Sequence, residues 1–320
     1  MLIAGRPLTP ELEGRRTDPS WQWWCVYAHL DRGDGHTWSV YFWPSVSEHS
    51  DSLIASVHRD GELVDLSSFP LAPGTIGTAD RGVDVEVDAC WFRGSYPTYR
   101  LHLESVALSL DLCLRAQGRA YEALAKTRGI SWLYLPHVTV EGEVTVGGGR
   151  PSAVVGKAYV ERRRGRFWSP GVSQGIWETF PAGSATAAAL PMFYELRRND
   201  GSPAFAVVAV AVEGAVVELD HVEVEVFESA TAHGIDHPMT FRVSAEGPEG
   251  ELDALVVRSP GRLELCDFLA EPRAGARSFG VYGPGEIDGY LRHAGGRVRV
   301  AGPTFGSSLR FWQDALGPSP

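Results

Sequence analysis

Leu108-Ser109-Leu110-Asp111-Leu112-Cys113-Leu114 is the stretch that decides the fold class. Leucine fills every second position, with small or polar residues between. A strand turns alternate side chains to opposite faces, so this run makes one apolar face and one wet face. On a helix the same leucines would spread around the axis and bury nothing together. Val83-Asp84-Val85-Glu86-Val87-Asp88 carries the pattern upstream, and Val222-Glu223-Val224-Glu225-Val226 carries it downstream. Turn dipeptides punctuate the runs: Asp34-Gly35, Asp60-Gly61, Asp200-Gly201, Glu213-Gly214 and Asp288-Gly289. Gly147-Gly148-Gly149 separates Val140–Val146 from Ser152–Tyr159 and reads as a hairpin turn. It is not read as a phosphate cradle, because no helix follows it.

Helical signal is confined to Gly118–Thr127, ended by Gly129, and to Ser307–Ala315. The expectation is an all-β protein of antiparallel sandwiches or barrels with very few short helices. The stretch Ser169–Ala189 is rich in Gly, Pro, Ser and Ala, and strand patterns resume at Met192. It divides the chain into an N-terminal β domain, residues 1–170, and a C-terminal one, residues 171–320. Two such units leave room for a ligand site between them.

The 320 residues carry a net charge of −11, which repels nucleic acid over most of the surface. Arg162-Arg163-Arg164 is the one tight basic run and reads as a solvated face or a local anion anchor. Cys25, Cys90, Cys113 and Cys266 lack metal-ligand spacing. They read as buried free thiols, with a disulfide pair as the alternative. The N-terminus lacks the cationic and apolar regions of a secretory signal, and no apolar run is long enough to span a bilayer. The expected compartment is the cytoplasm, without membrane insertion.

Trp21, Trp23, Trp24, Trp38 and Trp43 crowd the start of the chain, interrupted by Gln22 and followed by His29. Indoles bury wide flat faces yet keep an N–H that needs a partner. The cluster points to a cavity walled by aromatic surfaces. Trp132 and Tyr134 share one face of Ser131–Pro136, and Tyr159 and Glu161 share one face of their strand. If that face turns inward, an apolar setting pushes the Glu161 carboxyl toward its neutral, proton-donating form. If the strand ends there, Glu161 pairs with an arginine at the surface.

Two other patterns recede. Gly171-Val172-Ser173-Gln174-Gly175 matches the nucleophile elbow, which needs a strand before the serine and a helix after it. Pro170 precedes it and Ile176–Phe180 runs into Pro181, so a chance match is the better reading. His233 and His237 have zinc-like spacing only on a helix, which Gly234 and Pro238 oppose. A loop leading into the strand Met239–Val243 is expected instead.

These segments carry a family resemblance. Trp23-Trp24-Cys25-Val26-Tyr27-Ala28-His29-Leu30 resembles the opening of the lipocalin-like carotenoid 1,2-hydratase (hydroxyneurosporene synthase) family. Tyr134-Leu135-Pro136 with Val138-Thr139-Val140-Glu141-Gly142 is similar to its Tyr-x-x-Pro strand. Gly156-Lys157-Ala158-Tyr159-Val160-Glu161-Arg162 resembles the segment bearing its acidic residue. Phe193 to Gly201 is similar to its Leu-Arg-x-x-Asp-Gly hairpin, and His237 to Val243 to a later strand. The resemblance implies two calycin-like β domains and an elongated apolar ligand. The family includes hydratases of polyene tails and Diels–Alderases that close rings on linear polyketide polyenes. Glu161 falls at the hydratase acid, whereas Arg162, Arg164 and Gln22 depart from the family's usual residues.

The departures favour a pocket that folds a substrate and offers hydrogen bonds over one that protonates an unactivated alkene. The resulting expectation is a cofactor-independent and metal-free cyclase of polyketide biosynthesis, acting on a lipophilic polyene by [4+2] closure. Glu161, Tyr159, His29 and Gln22 are its candidate catalytic residues. Trp24, Trp43, Trp132, Tyr134, Arg162 and Tyr194 are its candidate substrate contacts. A polyene hydratase or isomerase with Glu161 as proton donor, and a carrier of lipophilic ligands, are the alternatives.

Overall fold

The computed structural model describes residues 2–4, 13–14, 21–33, 35–47, 51–117, 120–124, 131–165, 172–179, 189–198, 203–212, 215–219, 221–232, 235–258, 264–271 and 276–313. The chain forms two compact units, Met1–Trp168 and Ser169–Pro320. In the first unit lie β1 (Leu2–Ala4), β2 (Trp21–Asp31), β3 (Thr37–Ser47), β4 (Asp51–Arg59), β5 (Glu62–Leu71), β6 (Gly77–Thr78) and β7 (Val83–Val87). It continues with β8 (Cys90–Ser95), β9 (Thr98–Glu104), β10 (Leu108–Ala116), β11 (Tyr121–Leu124), β12 (Ser131–Val146) and β13 (Ser152–Gly165). These thirteen strands make one sheet, in the order β5-β4-β3-β2-β13-β12-β10-β9-β8-β7-β6, with β11 on β12 and β1 on β11.

Neighbouring strands pair antiparallel throughout, so short hairpins serve as connections. Asp60 (φ 51°) and Gly61 (φ 77°) turn β4 into β5 with the two positive φ values that a tight hairpin requires. β13 returns to pair with β2, and at that seam the backbones come close. A Cβ on Gly156 would sit 2.0 Å from the His29 carbonyl oxygen, so only glycine fits. Trp24, Val26 and Leu30 of β2 share a core with Phe92 of β8 and Leu101 of β9. A flat sheet would hold β2 and β9 about 19 Å apart, four spacings of roughly 4.8 Å. The sheet therefore curls and wraps its concave face around that core. The fold is all-β and lipocalin-like.

The second unit holds β14 (Val172–Thr179), β15 (Ala189–Arg198), β16 (Pro203–Val212), β17 (Ala215–Leu219) and β18 (His221–Ala232). With them are β19 (Ile235–Gly247), β20 (Gly250–Arg258), β21 (Glu264–Glu271), β22 (Ala276–His293) and β23 (Gly296–Gln313). Its sheet runs β17-β16-β15-β14-β23-β22-β20-β19-β18, with β21 on β22. Val208, Val210, Phe241, Val243, Val256, Leu291 and Val300 form its core.

Several expectations need correction. Apart from a helical residue at Glu13, every element among the described residues is a strand, and neither expected helix is one. The Gly118–Thr127 segment contains β11, drawn out by ladders to β1 and β12. Most of Ser307–Ala315 lies in β23, held between β14 and β22. Tertiary ladders override weak helical propensity at both places. Asp288-Gly289 is no turn but the middle of β22, where a Cβ on Gly289 would lie 2.3 Å from the Asp253 carbonyl oxygen. Val226 is 44% exposed, because β18 is an edge strand whose register slips between Val226 and Glu228. Ser173 lies within β14, with no strand-to-helix turn. β14 also occupies part of the stretch read as a boundary. His237 belongs to β19 and is buried, so the strand starts earlier than Met239. His233 lies outside the described residues. Cys25, Cys90 and Cys113 are free, but only Cys25 is buried.

Candidate active site

The register of β4, β3, β2, β13 and β12 lays the candidate residues out in rows. Cross-strand partners put their side chains on one face. On one face, Ser52, Ser45, Trp23 and Arg163 form the first row. Trp43 and Ile54 stand level with Cys25, Glu161 and Tyr134 in the second. Ser56, Tyr41, Tyr27 and Tyr159 form the third, and His58, Ser39, His29 and Lys157 the fourth. The opposite face carries Gln22, Trp24, Val26, Ala28 and Leu30 of β2 with Ala158, Val160 and Arg162 of β13. The apolar members of that set belong to the curled core.

The first face is buried too. Glu161 is 4% exposed, and Trp23, Cys25, Tyr27, Tyr41, Trp43, Tyr134, Tyr159 and Arg163 are buried around it. The Trp23 indole N–H donates to Glu161 Oε1 at 3.1 Å, and the Tyr159 hydroxyl donates to Oε2 at 2.6 Å. Arg163 brings Nε to 3.4 Å from Oε1 and donates from its terminal nitrogen to Oε2 at 3.4 Å. Three side chains thus present donors to one carboxylate. The Arg163 guanidinium also lies over the Trp23 ring, 5.4 Å from its centroid. Trp23 stacks on Trp21 at 4.4 Å and meets Trp43 edge-on at 5.2 Å. The Tyr134 ring stands 6.4 Å from Tyr159.

Electrostatics follow from this packing. Burial pushes the Tyr159 phenol far up, and the charge of Glu161 pushes it further, so Tyr159 remains a neutral donor. Burial and Glu161 also push the Cys25 thiol well up, against opposing contributions from Tyr41 and Arg163. That thiol is no nucleophile at neutral pH. Burial lowers His29, countered by Asp31, and its Nδ1 lies 3.3 Å from Ser39 Oγ. His29 is opposite Lys157, two rows beyond Glu161, and does not touch it.

The sheet separates residues that the sequence reading grouped. Gln22, Trp24 and Arg162 face the curled core, away from Glu161 and Tyr159. Arg162 donates to Gln22 Oε1 at 2.7 Å and lies 5.7 Å from the Trp24 ring centroid. Arg162 and Arg163 are each about 5% exposed or less, so the basic run is not a solvated face. Beside Trp24 is a cavity of only about 20 Å³, lined by Glu13, Trp24, Tyr99, Val160, Glu161 and Arg162 among others. That is room for about one water. Trp24 therefore packs against a nearly filled interior. The side chains of Trp132 and Tyr194 lie outside the described residues; their backbones are in β12 and β15.

Some participants escaped the sequence reading. Parity could have found Trp23 and Arg163, since both share the period-two phase of Glu161 and its partner Cys25. Ser45, Ser52, Ser56 and His58 follow from pairing β3 with β4, which sequence alone does not align. Glu13 had no signal. This buried carboxylate accepts hydrogen bonds from the Tyr99 hydroxyl and, at 3.1–3.2 Å, from the Tyr96 backbone N–H. Burial raises its pKa, against the lowering effect of Tyr99, Tyr96 and Arg162. Among the described residues no group of three or more His, Cys, Asp or Glu side chains could hold a metal ion. No helix among them is long and apolar enough to cross a membrane.

No protein-family model matches the sequence, and no curated protein matches it. Solved structures do share its fold. The chain is similar to a Nitrosomonas europaea protein given the name AttH, with TM-score 0.67, 18% identity and 96% and 98% of the two chains covered. It is similar to kievitone hydratase from Nectria haematococca, with TM-score 0.68, 12% identity and 96% and 94% covered. It is also similar to CghA, solved with Sch210972, with TM-score 0.59, 12% identity and 97% and 98% covered. What the chain shares with these proteins is the lipocalin-like all-β fold over nearly its whole length.

Proposed function

We propose that this protein is an enzyme acting on an elongated, largely apolar substrate at the Glu161 face, and that it promotes intramolecular ring closure. The observation that carries this reading is the convergence of Trp23, Tyr159 and Arg163 on the buried Glu161 carboxylate. A carboxylate surrounded by donors acts as an acceptor and an anchor. Protonating it to serve as an acid would turn one of those contacts donor to donor. Glu161 thus fixes Tyr159 and Arg163 within a wall of indole and phenol rings.

A [4+2] closure forms two carbon–carbon bonds within one molecule and needs neither added atoms nor electrons. Its barrier is dominated by ordering a flexible chain, which a rigid aromatic wall does in advance. Trp43, Trp23 and Tyr134 supply that wall. The cationic Arg163 stabilises negative charge gathering on a carbonyl conjugated to the dienophile. A lowering on the order of 5–8 kcal/mol is enough for useful acceleration. The substrate class is a linear polyene with a tetramate or tetronate head, as made in polyketide biosynthesis.

The short Tyr159–Glu161 contact favours one other reading, a hydratase or isomerase that moves a proton through this pair. Kinship of fold with a kievitone hydratase fits it equally well. Incubation with linear polyene tetramates or tetronates separates the readings. Ring closure gives faster formation of one stereoisomer with no solvent deuterium in the product. Deuterium at carbon assigns proton transfer. A ligand that binds and returns unchanged across the panel assigns a carrier.

A further inference from the structure

The Glu161 face changes character toward β3 and β4. Ser45, Ser52 and Ser56 flank Trp43 and Tyr41 there in place of the ion pair, and all three are buried. Ser45 is 2% exposed, and its hydroxyl has no hydrogen-bond partner among the described residues. A buried hydroxyl without a partner is costly to keep, and serine gains nothing there that alanine would not. Ser45 stands in register with Trp23 on one side and Ser52 on the other. Its side chain therefore emerges on the face that bears Glu161. From Ser45 to Glu161 is two strand spacings and one row, which is about 12 Å by sheet geometry. The indole rings of Trp23 and Trp43 occupy the interval between them.

We infer that Ser45 is a recognition site for a second oxygen function of the substrate, a hydroxyl or carbonyl group at the end remote from the Glu161 anchor. This rests on the reading of the Glu161 face as the substrate site, and adds a substrate class to it. The substrate carries two oxygenated ends roughly 12 Å apart, joined by an apolar segment that lies across the indoles. Ser52, next to Ser45 on β4, lengthens the hydroxyl row and lets the same oxygen take a second contact.

The test uses two linear polyene tetramates of equal length, one with a terminal hydroxyl and one with a methyl in its place. Binding is read by quenching of tryptophan fluorescence, independent of turnover. Wild-type protein should bind the hydroxyl probe about 5- to 10-fold more tightly than the methyl probe, the effect of one net hydrogen bond. Ser45→Ala should erase that preference while leaving affinity for the methyl probe unchanged, and Ser45→Thr should retain it. Equal binding of both probes to wild type, or a Ser45→Ala variant that keeps the preference, overturns the role of Ser45 and leaves the Glu161 face standing. Failure of wild type to bind either probe overturns both.

Discussion

The sheet of the first unit has two regions built from the same alternating pattern and put to different uses. In β7 and β10 alternate side chains are buried and wet: Val83, Val85 and Val87 are buried while Asp84 and Glu86 are exposed. In β2, β3 and β4 nearly every residue is buried on both faces. The first region spends its polar residues on water. The second, with its neighbour β13, hides two carboxylates (Asp51 and Glu161), two arginines, a histidine and several hydroxyls. Buried charge seldom adds net stability over an apolar alternative. The difference sets β7–β10 apart as scaffold from β2–β4, β12 and β13, the wall proposed to meet the substrate.

The largest expected effect breaks the comparison at its ion pairs. Arg163→Met leaves the buried Glu161 without its cation and should cost about 3–5 kcal/mol in denaturant unfolding. Arg93 pairs with Asp84 at 2.8 Å and with Glu86, but half in solvent. Arg93→Met should cost under about 1 kcal/mol. Equal losses at the two sites would erase the distinction between the regions.

Next is a cavity in the scaffold. Leu110 is wholly buried, and Leu110→Ala should cost roughly 3 kcal/mol while leaving turnover per folded molecule intact. A smaller stability effect with a larger functional one is expected at Tyr159→Phe. It removes one donor to a carboxylate, about 2 kcal/mol, and turnover should fall at least about tenfold. Loss of stability without loss of turnover would return Tyr159 to the core.

The smallest effect is a pH dependence. Burial holds the folded pKa of His29 below its ordinary value of 6.5. As pH falls below 6.5, the unfolded chain takes up a proton that the folded ring resists. Stability is therefore full above that pH and declines as pH drops toward the lowered folded value. His29→Gln should flatten this part of the pH–stability profile, measured by thermal unfolding. An unchanged slope would show that His29 is not the group responsible.

The scaffold was the legible part of the sequence. Leu108 to Leu114 read directly as a half-wet strand, and Asp60-Gly61 as a tight turn, although the same dipeptide at Asp288-Gly289 runs through a strand. The proposed substrate wall was legible in residue type but not in facing. Trp23 and Trp24 are adjacent, so period two sends them to opposite faces, and the sequence reading merged them into one cluster. The same parity separates Arg162 from Arg163. Glu13 sits outside any periodic run, and only the fold brings it to Tyr99. Ser307–Ala315 looked helical because its partners, distant β14 and the far end of the long β22–β23 hairpin, leave no trace in the local pattern.

The most direct measurement is a crystal structure of the protein with a linear polyene tetramate bound. Density for the chain across Trp23 and Trp43, with its head beside Tyr159 and Arg163, is the expected result. The probe bound elsewhere, with the rings around Glu161 closed in solid packing, would contradict a binding role for this face.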